Sequence, residues 1–202
     1  AVSGREVVVC RTGTANLASV FAGLRRAGGA PRMADDAADI TSAGHVMLPG
    51  VGSFGAAMAN LTESGLAGPL RERMAAGRPT LSICVGLQLL GTTSEESPGA
   101  EGLGVIDAGF TRFPETVRVP QFGWNLITAQ EGCSTLHSGH VYFANSYRLT
   151  ATPPGWSVAS ADHGGRFVAA MERGSVLACQ FHPELSGAYG RALLERWIAL
   201  PC

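Results

Sequence analysis

The chain has 202 residues, 46% hydrophobic and 15% charged, which is enough apolar mass to bury one substantial core and suits a single domain spanning 1–202. A net charge of −1 and an isoelectric point near 6.6 leave no basic footprint for nucleic acid or an anionic membrane. Five scattered cysteines form no disulfide framework, no apolar run approaches the roughly 18 residues of a membrane helix, and Ala1 to Cys10 carries charge where a signal peptide is apolar, so a soluble cytoplasmic protein is expected.

Glu6 to Cys10 is a short β-branched run, and Arg11 to Asn16 supplies turn residues. Leu17, Val20, Phe21 and Leu24 then recur at helical spacing, with Asn16 as N-cap. Gly28-Gly29 stops that helix, Ala30 to Met33 reads as a second strand, and His45 to Leu48 as a third that ends at Pro49. This βαβ alternation predicts an α/β fold with a doubly wound, mostly parallel central sheet flanked by helices.

PGVGSFG, Pro49 to Gly55, follows the third strand. Its glycines allow φ > 0 and let backbone N–H groups approach a ligand, although an ordinary strand-to-helix loop has the same composition. Met58, Leu61, Leu66, Leu70 and Met74 continue as a helical core stripe. TLSICVGLQLL, Thr80 to Leu90, then reads as a strand, a sharp turn at Cys84 and a helix, with Gly86 leaving room for the reversal. A thiol on that turn faces the crevice where open α/β sheets gather ligands. Cysteine is equally at home as an inert core thiol, and this stretch alone leaves both readings open.

Beyond Cys84 the pattern changes. Gly91 to Gly104 is polar and turn-rich, and short strand-like runs follow at Val105-Ile106, Phe110 to Phe113, Val117 to Val119, Asn125 to Thr128 and His140 to Tyr147. Arg166 to Met171 and Val176 to Phe181 predict a hairpin around Glu172-Arg173-Gly174, so antiparallel β-hairpins are added in the C-terminal half. A helix from about Ala188 to Leu200 closes the chain, with Leu193, Leu194, Trp197 and Ile198 facing the core.

QFHPE, Gln180 to Glu184, completes a possible constellation. Pro183 disfavours helix at His182, so an extended segment is expected in which His182 and Glu184 point the same way. A thiol needs such a pair, because an oriented imidazole can take its proton and return it to a leaving amine. The alternative is a solvated turn. Histidines 45, 137, 140 and 163 lack metal-ligand spacing, so neither metal nor cofactor is expected.

The cysteine elbow, the glycine loop and QFHPE occur in the order found in triad-type glutamine amidotransferases. LPGVGSFGAAM, VPQFGWN, YFANSY and FHPELSG are most similar to the glutaminase subunits of imidazole glycerol phosphate synthase. The resemblance implies that Cys84 attacks the carboxamide of L-glutamine, that His182 moves the proton, and that Glu184 orients the ring. It also implies oxyanion donors at Val85 and in Gly50-Val51-Gly52, and a grip on the substrate's amino-acid end by Gln88 and the Ser146-Tyr147 backbone. The partner it implies is a (β/α)₈-barrel cyclase that forms a heterodimer and receives the ammonia.

The chain departs from that pattern at Ser82, where glycine is usual two places before the cysteine. It also departs in Arg11 to Leu17, which loses the acid, the tyrosine and one glycine of the first-strand motif, and at Gln121, Asn145 and Leu185. These differences leave open a paralogue that amidates a sugar and, on Ser82 alone, a non-catalytic scaffold. Trp124 reads either as part of a docking face or as an ordinary buried tryptophan.

Overall fold

The computed structural model describes residues 4–13 and 16–202, so Ala1 to Ser3 and the Thr14-Ala15 part of the expected first turn lie outside the described residues. The β-branched start of the chain forms β1 (Arg5–Val9), and α1 (Leu17–Arg26) follows, with the Asn16 side chain accepting from the Ser19 N–H at 3.4 Å. Next come β2 (Gly29–Met33), α2 (Ala37–Ser42) and β3 (His45–Leu48). The Met58 to Met74 stripe is two helices rather than one, α3 (Phe54–Glu63) and α4 (Ala67–Ala75), because the chain reverses at Gly65 with φ +71°. β4 (Thr80–Ile83) leads through Cys84 into α5 (Val85–Gln88), a single turn.

The C-terminal half supplies β5 (Thr93–Ser94), β6 (Gly109–Arg112), β7 (Gln121–Ala129), β8 (Gly139–Asn145), β9 (Tyr147–Arg148), β10 (Ser157–Asp162), β11 (Arg166–Arg173), β12 (Val176–Cys179) and finally α6 (Gly187–Ile198). Nine strands make one sheet in the order β2-β1-β3-β4-β12-β11-β10-β7-β8. Pairing is parallel from β2 through β12 and antiparallel from β12 onward, so the expected hairpins extend the central sheet rather than standing apart from it. β5, β6 and β9 form a small second sheet. The β11–β12 hairpin turns on Gly174-Ser175, one residue later than expected, with Arg173 opposite Val176. Val105-Ile106 and Val117 to Val119 are not strands.

β1, β3, β4 and β12 are buried on both faces where they meet, which is why Val7 to Val9, Val46 to Leu48 and Val176 to Cys179 read as unbroken apolar runs, while β4 buries Thr80 and Ser82 beside Leu81 and Ile83. Cys10 and Cys179 are core thiols, as their runs suggest. No helix among the described residues is long and apolar enough to cross a membrane.

His45, also fully buried, passes Nε2 to the Trp197 carbonyl at 3.2 Å and stacks edge-on against the Trp197 ring. Burial, with Arg5 and Arg73 nearby, lowers its imidazole to about 4 although the Trp197 carbonyl favours the proton. A histidine harder to protonate folded than unfolded supports stability above its ordinary value near 6.5 and loses that support as pH falls toward 4. Denaturant midpoints should therefore decline more steeply between those limits for the natural chain than for His45→Gln, which keeps a donor and does not titrate. Parallel curves would contradict this.

Candidate active site

The β4 strand runs between β3 and β12 and delivers the chain to Cys84 with no freedom to drift. Cys84 takes φ 55° and ψ −112°, and among the described residues no other non-glycine has a positive φ. Its N–H is held by the Cys179 carbonyl at 2.7 Å. A cysteine pinned in so unfavourable a conformation points to a functional constraint. Gly86 is needed by space, since a Cβ there would lie 2.2 Å from the Leu48 carbonyl oxygen.

His182 lies just past β12, its N–H donating to the Tyr142 carbonyl at 2.9 Å. Its Nδ1 is 2.8 Å from Glu184 Oε1, and both side chains are nearly buried. The expected extended segment is present only at His182; Pro183–Leu185 is a 3₁₀ turn. Pro183 starts that turn well, having no N–H to lose, and the turn curls the carboxylate back to the ring. Burial opposes charge on the imidazole, but hydrogen bonds to Cys84 and Glu184 outweigh it and hold the ring well above its usual range. With Nδ1 on Glu184, Nε2 is the atom left to face the thiol.

One cleft of about 290 Å³ is lined by Val51, Gly52, Cys84, Val85, Gln88, Asn145, Ser146, Tyr147 and His182, together with Glu96 and Ala144. The expected residues thus converge, with Glu184 behind His182 and Gly50 behind Val85. Gln88 is buried; its Nε2 donates to Gln180 Oε1 at 3.1 Å and reaches the Tyr147 carbonyl at 3.5 Å. The Ser146 carbonyl is already engaged by the Phe113 N–H at 3.0 Å. At the proposed oxyanion position the Val85 N–H donates to the Gly50 carbonyl at 3.3 Å. In a planar trans peptide the carbonyl and N–H point opposite ways, so the Val51 N–H faces away from the elbow.

Glu96 was not apparent from the sequence. It reaches across from the polar loop after α5, and its Oε2 accepts from the Phe54 N–H at 2.7 Å while Ser97 Oγ accepts from the Gly55 N–H at 3.0 Å. Both tie the end of the glycine loop, where α3 starts, to the loop after α5.

The departures from the family pattern fall into two groups. Ser82 is fully buried beneath the elbow with no partner for its hydroxyl among the described residues, and Asn145 pairs with Gln121 across β7–β8 and donates to the Tyr147 carbonyl at 3.0 Å. Arg11 and Leu185 are exposed instead, and Trp124 is 58% exposed, so its buried reading is wrong.

Residues 30–199 match the family profile described as Glutamine amidotransferase class-I. The chain is 37% identical over 202 residues to the imidazole glycerol phosphate synthase subunit HisH of Symbiobacterium thermophilum, covering 98% of this chain and 95% of that one. It is 42% identical over 200 residues to the subunit of the same name from Deinococcus radiodurans, covering 95% and 92%. A crystal structure of a glutamine amidotransferase superposes with a TM-score of 0.74 over 95% of this chain and 96% of that one, at 22% identity, and so supports the fold alone.

Proposed function

Because this chain belongs to the class-I glutamine amidotransferase family, among the HisH subunits, we propose that it hydrolyses L-glutamine with a Cys84–His182–Glu184 triad and hands the ammonia to a cyclase. The product of the joint reaction is imidazole glycerol phosphate, in histidine biosynthesis. The observation that carries the reading is the convergence of a strained cysteine and a buried His182–Glu184 pair in one cleft with Gln88 and Tyr147.

Cys84 Sγ attacks the carboxamide carbon as His182 Nε2 manages the proton. The tetrahedral intermediate collapses to a thioester when the imidazolium protonates departing ammonia, and water then releases glutamate. Glu184 holds the ring and offsets its charge. Gln88 Oε1 and Asn145 Oδ1, acceptors without a partner among the described residues, suit the substrate's α-ammonium.

The oxyanion needs donors, and here the Gly50 carbonyl occupies the Val85 N–H. Turning the Gly50–Val51 peptide over would free Val85 and bring the Val51 N–H inward, which supports activation by a partner. A docking surface for one is at hand. Phe122, Trp124 and Leu126 alternate along β7 so that all three face solvent, 69%, 58% and 49% exposed. Phe122 sits opposite Ala144, whose carbonyl is 4.0 Å from Cys84 Sγ, so docking on this ridge bears on the cleft through one strand. A (β/α)₈ cyclase is the occupant that the family relation favours.

Glutamate release should rise on adding the cyclase from the same organism. Val51→Pro, which removes the second oxyanion donor, should lose about 10² to 10³ of that stimulated rate and little of the unstimulated one. A partner that leaves glutamate release unchanged would overturn the reading.

A further inference from the structure

Gln180 opens the QFHPE stretch and has no part in the chemistry described so far. It is fully buried, its N–H held by the Ala169 carbonyl at 2.8 Å. Its side chain spans the floor of the site. Oε1 accepts from Gln88 Nε2 at 3.1 Å, and Nε2 lies 3.8 Å from Cys84 Sγ.

Amide oxygen and nitrogen are nearly alike in shape, so the direction of such a chain must be fixed by a group that cannot flip. The Tyr147 carbonyl is that group. It can only accept, and Gln88 Nε2 lies 3.5 Å from it. That turns the Gln88 NH₂ toward both Tyr147 and Gln180, where only Oε1 can receive it. Gln180 Nε2 must then point at the sulfur. A thiolate is a far better acceptor than a thiol, so a donor aimed at Sγ strengthens its bond as the proton leaves and favours the ionised form.

We propose that Gln180 tunes the nucleophile: its amide N–H stabilises the Cys84 thiolate, and through Gln88 it ties the sulfur to the part of the cleft that receives the substrate's amino-acid end. The second half rests on the role of Gln88 proposed above; the first half does not. Because Gln180 is neutral, it adds this stabilisation without placing a charge beside the His182 ring.

Alkylation of Cys84 by iodoacetamide, followed against pH by mass spectrometry of its peptide, tests the assignment in the full chain without glutamine or partner. Gln180→Met keeps the side chain's length and loses the donor. It should raise the pH of half-maximal alkylation by about one unit, making the reaction about tenfold slower below that point. Gln88→Met removes the donor that holds the Gln180 amide in this direction but not the Gln180 NH₂ itself, and should shift the profile less. If thermal melting shows that Gln180→Met does not fold, Gln180→Leu takes its place. An unchanged profile in a folded Gln180 variant overturns the proposal and leaves Gln180 a packing residue. The measurement is independent of turnover, so a chain that alkylates as expected yet releases no glutamate would count against the glutaminase reading alone.

Discussion

Cys84→Ala should release no glutamate from glutamine, and Glu184→Gln should slow release by about 10⁴-fold while leaving the fold intact. The second result follows from the geometry of one hydrogen bond. Glu184 Oε1 lies 2.8 Å from His182 Nδ1, which keeps one proton on that nitrogen, so the proton that the ring takes from Cys84 goes to Nε2 and the resulting charge is held by Glu184. A glutamine at 184 can instead present its NH₂ to Nδ1. The proton then moves to Nε2, and the ring meets the thiol with a donor where it needs an acceptor. The carboxylate's negative charge, which helps hold the imidazole above its usual range, is lost as well. Because the three residues act as one unit, Cys84→Ala with Glu184→Gln should be no worse than Cys84→Ala alone. Steady-state glutamate release at saturating glutamine, with the cyclase present, measures all three. Ammonium salts should still feed the cyclase in the Cys84→Ala complex, which separates lost chemistry from lost docking. Residual glutamate release by Cys84→Ala above a blank would remove the thiol from the mechanism.

Much of this site could be read from residues because its chemistry sits on turns at strand ends, where residue type is restricted. Gly86 has to be glycine for lack of space, and Pro183 keeps His182 extended, although the run expected to continue through Glu184 is a 3₁₀ turn instead. What escaped depends on the tertiary fold or on peptide orientation. Glycines at 50 and 52 permit a carbonyl or an N–H to face the elbow equally well, so the composition of PGVGSFG could not reveal that Val85 is engaged by Gly50. Glu96 comes from a loop with no periodicity, and its place is set by the Phe54 N–H it caps. The same division runs through the fold. α2 was missed because six residues hold too little period, although Asp36 caps it by accepting from the Asp39 N–H. β10, SVASAD, carries small residues with no alternation and becomes a strand through pairing with β11 and β7. Val117 to Val119 has strand-like residues but lies between Pro114 and Pro120, which deny it a ladder.

Arg73→Met should destabilise the protein by more than about 4 kcal/mol and lower its melting temperature by about 10 °C. Arg73 projects from α4 and is 3% exposed, with no carboxylate among its hydrogen-bond partners. Nε donates to Thr80 Oγ1 at 3.1 Å, Nη1 to the carbonyls of Ile40 and Ala43 at 2.9 and 2.7 Å, and Nη2 to those of Gly44 and Pro79 at 2.6 and 2.9 Å. A guanidinium has five N–H donors, and these contacts can use them all. The carbonyls come from the end of α2, the turn into β3 and the residue before β4, so one side chain ties together three connections that lack a ladder of their own. Burial, with Arg78 close by, lowers the guanidinium to about 10, so it stays charged at neutral pH. Methionine replaces the stem and takes the donors from the Ile40 and Gly44 carbonyls and from Thr80 Oγ1, whereas Ala43 keeps Arg78 and Pro79 keeps the Val46 N–H, so the loss is the charged five-bond network and two buried acceptors. Lysine should recover only part of the loss, since its three donors radiate from one point and cannot span partners on both sides of a planar fork. β4 ends at Ile83, immediately before Cys84, so the site depends on this anchorage without touching it. Below its own melting range Arg73→Met should therefore hydrolyse glutamine at close to the natural rate, and inactivation should track unfolding by circular dichroism. A melting temperature within about 2 °C of the natural chain would show that backbone rearrangement or water replaces the guanidinium at little cost.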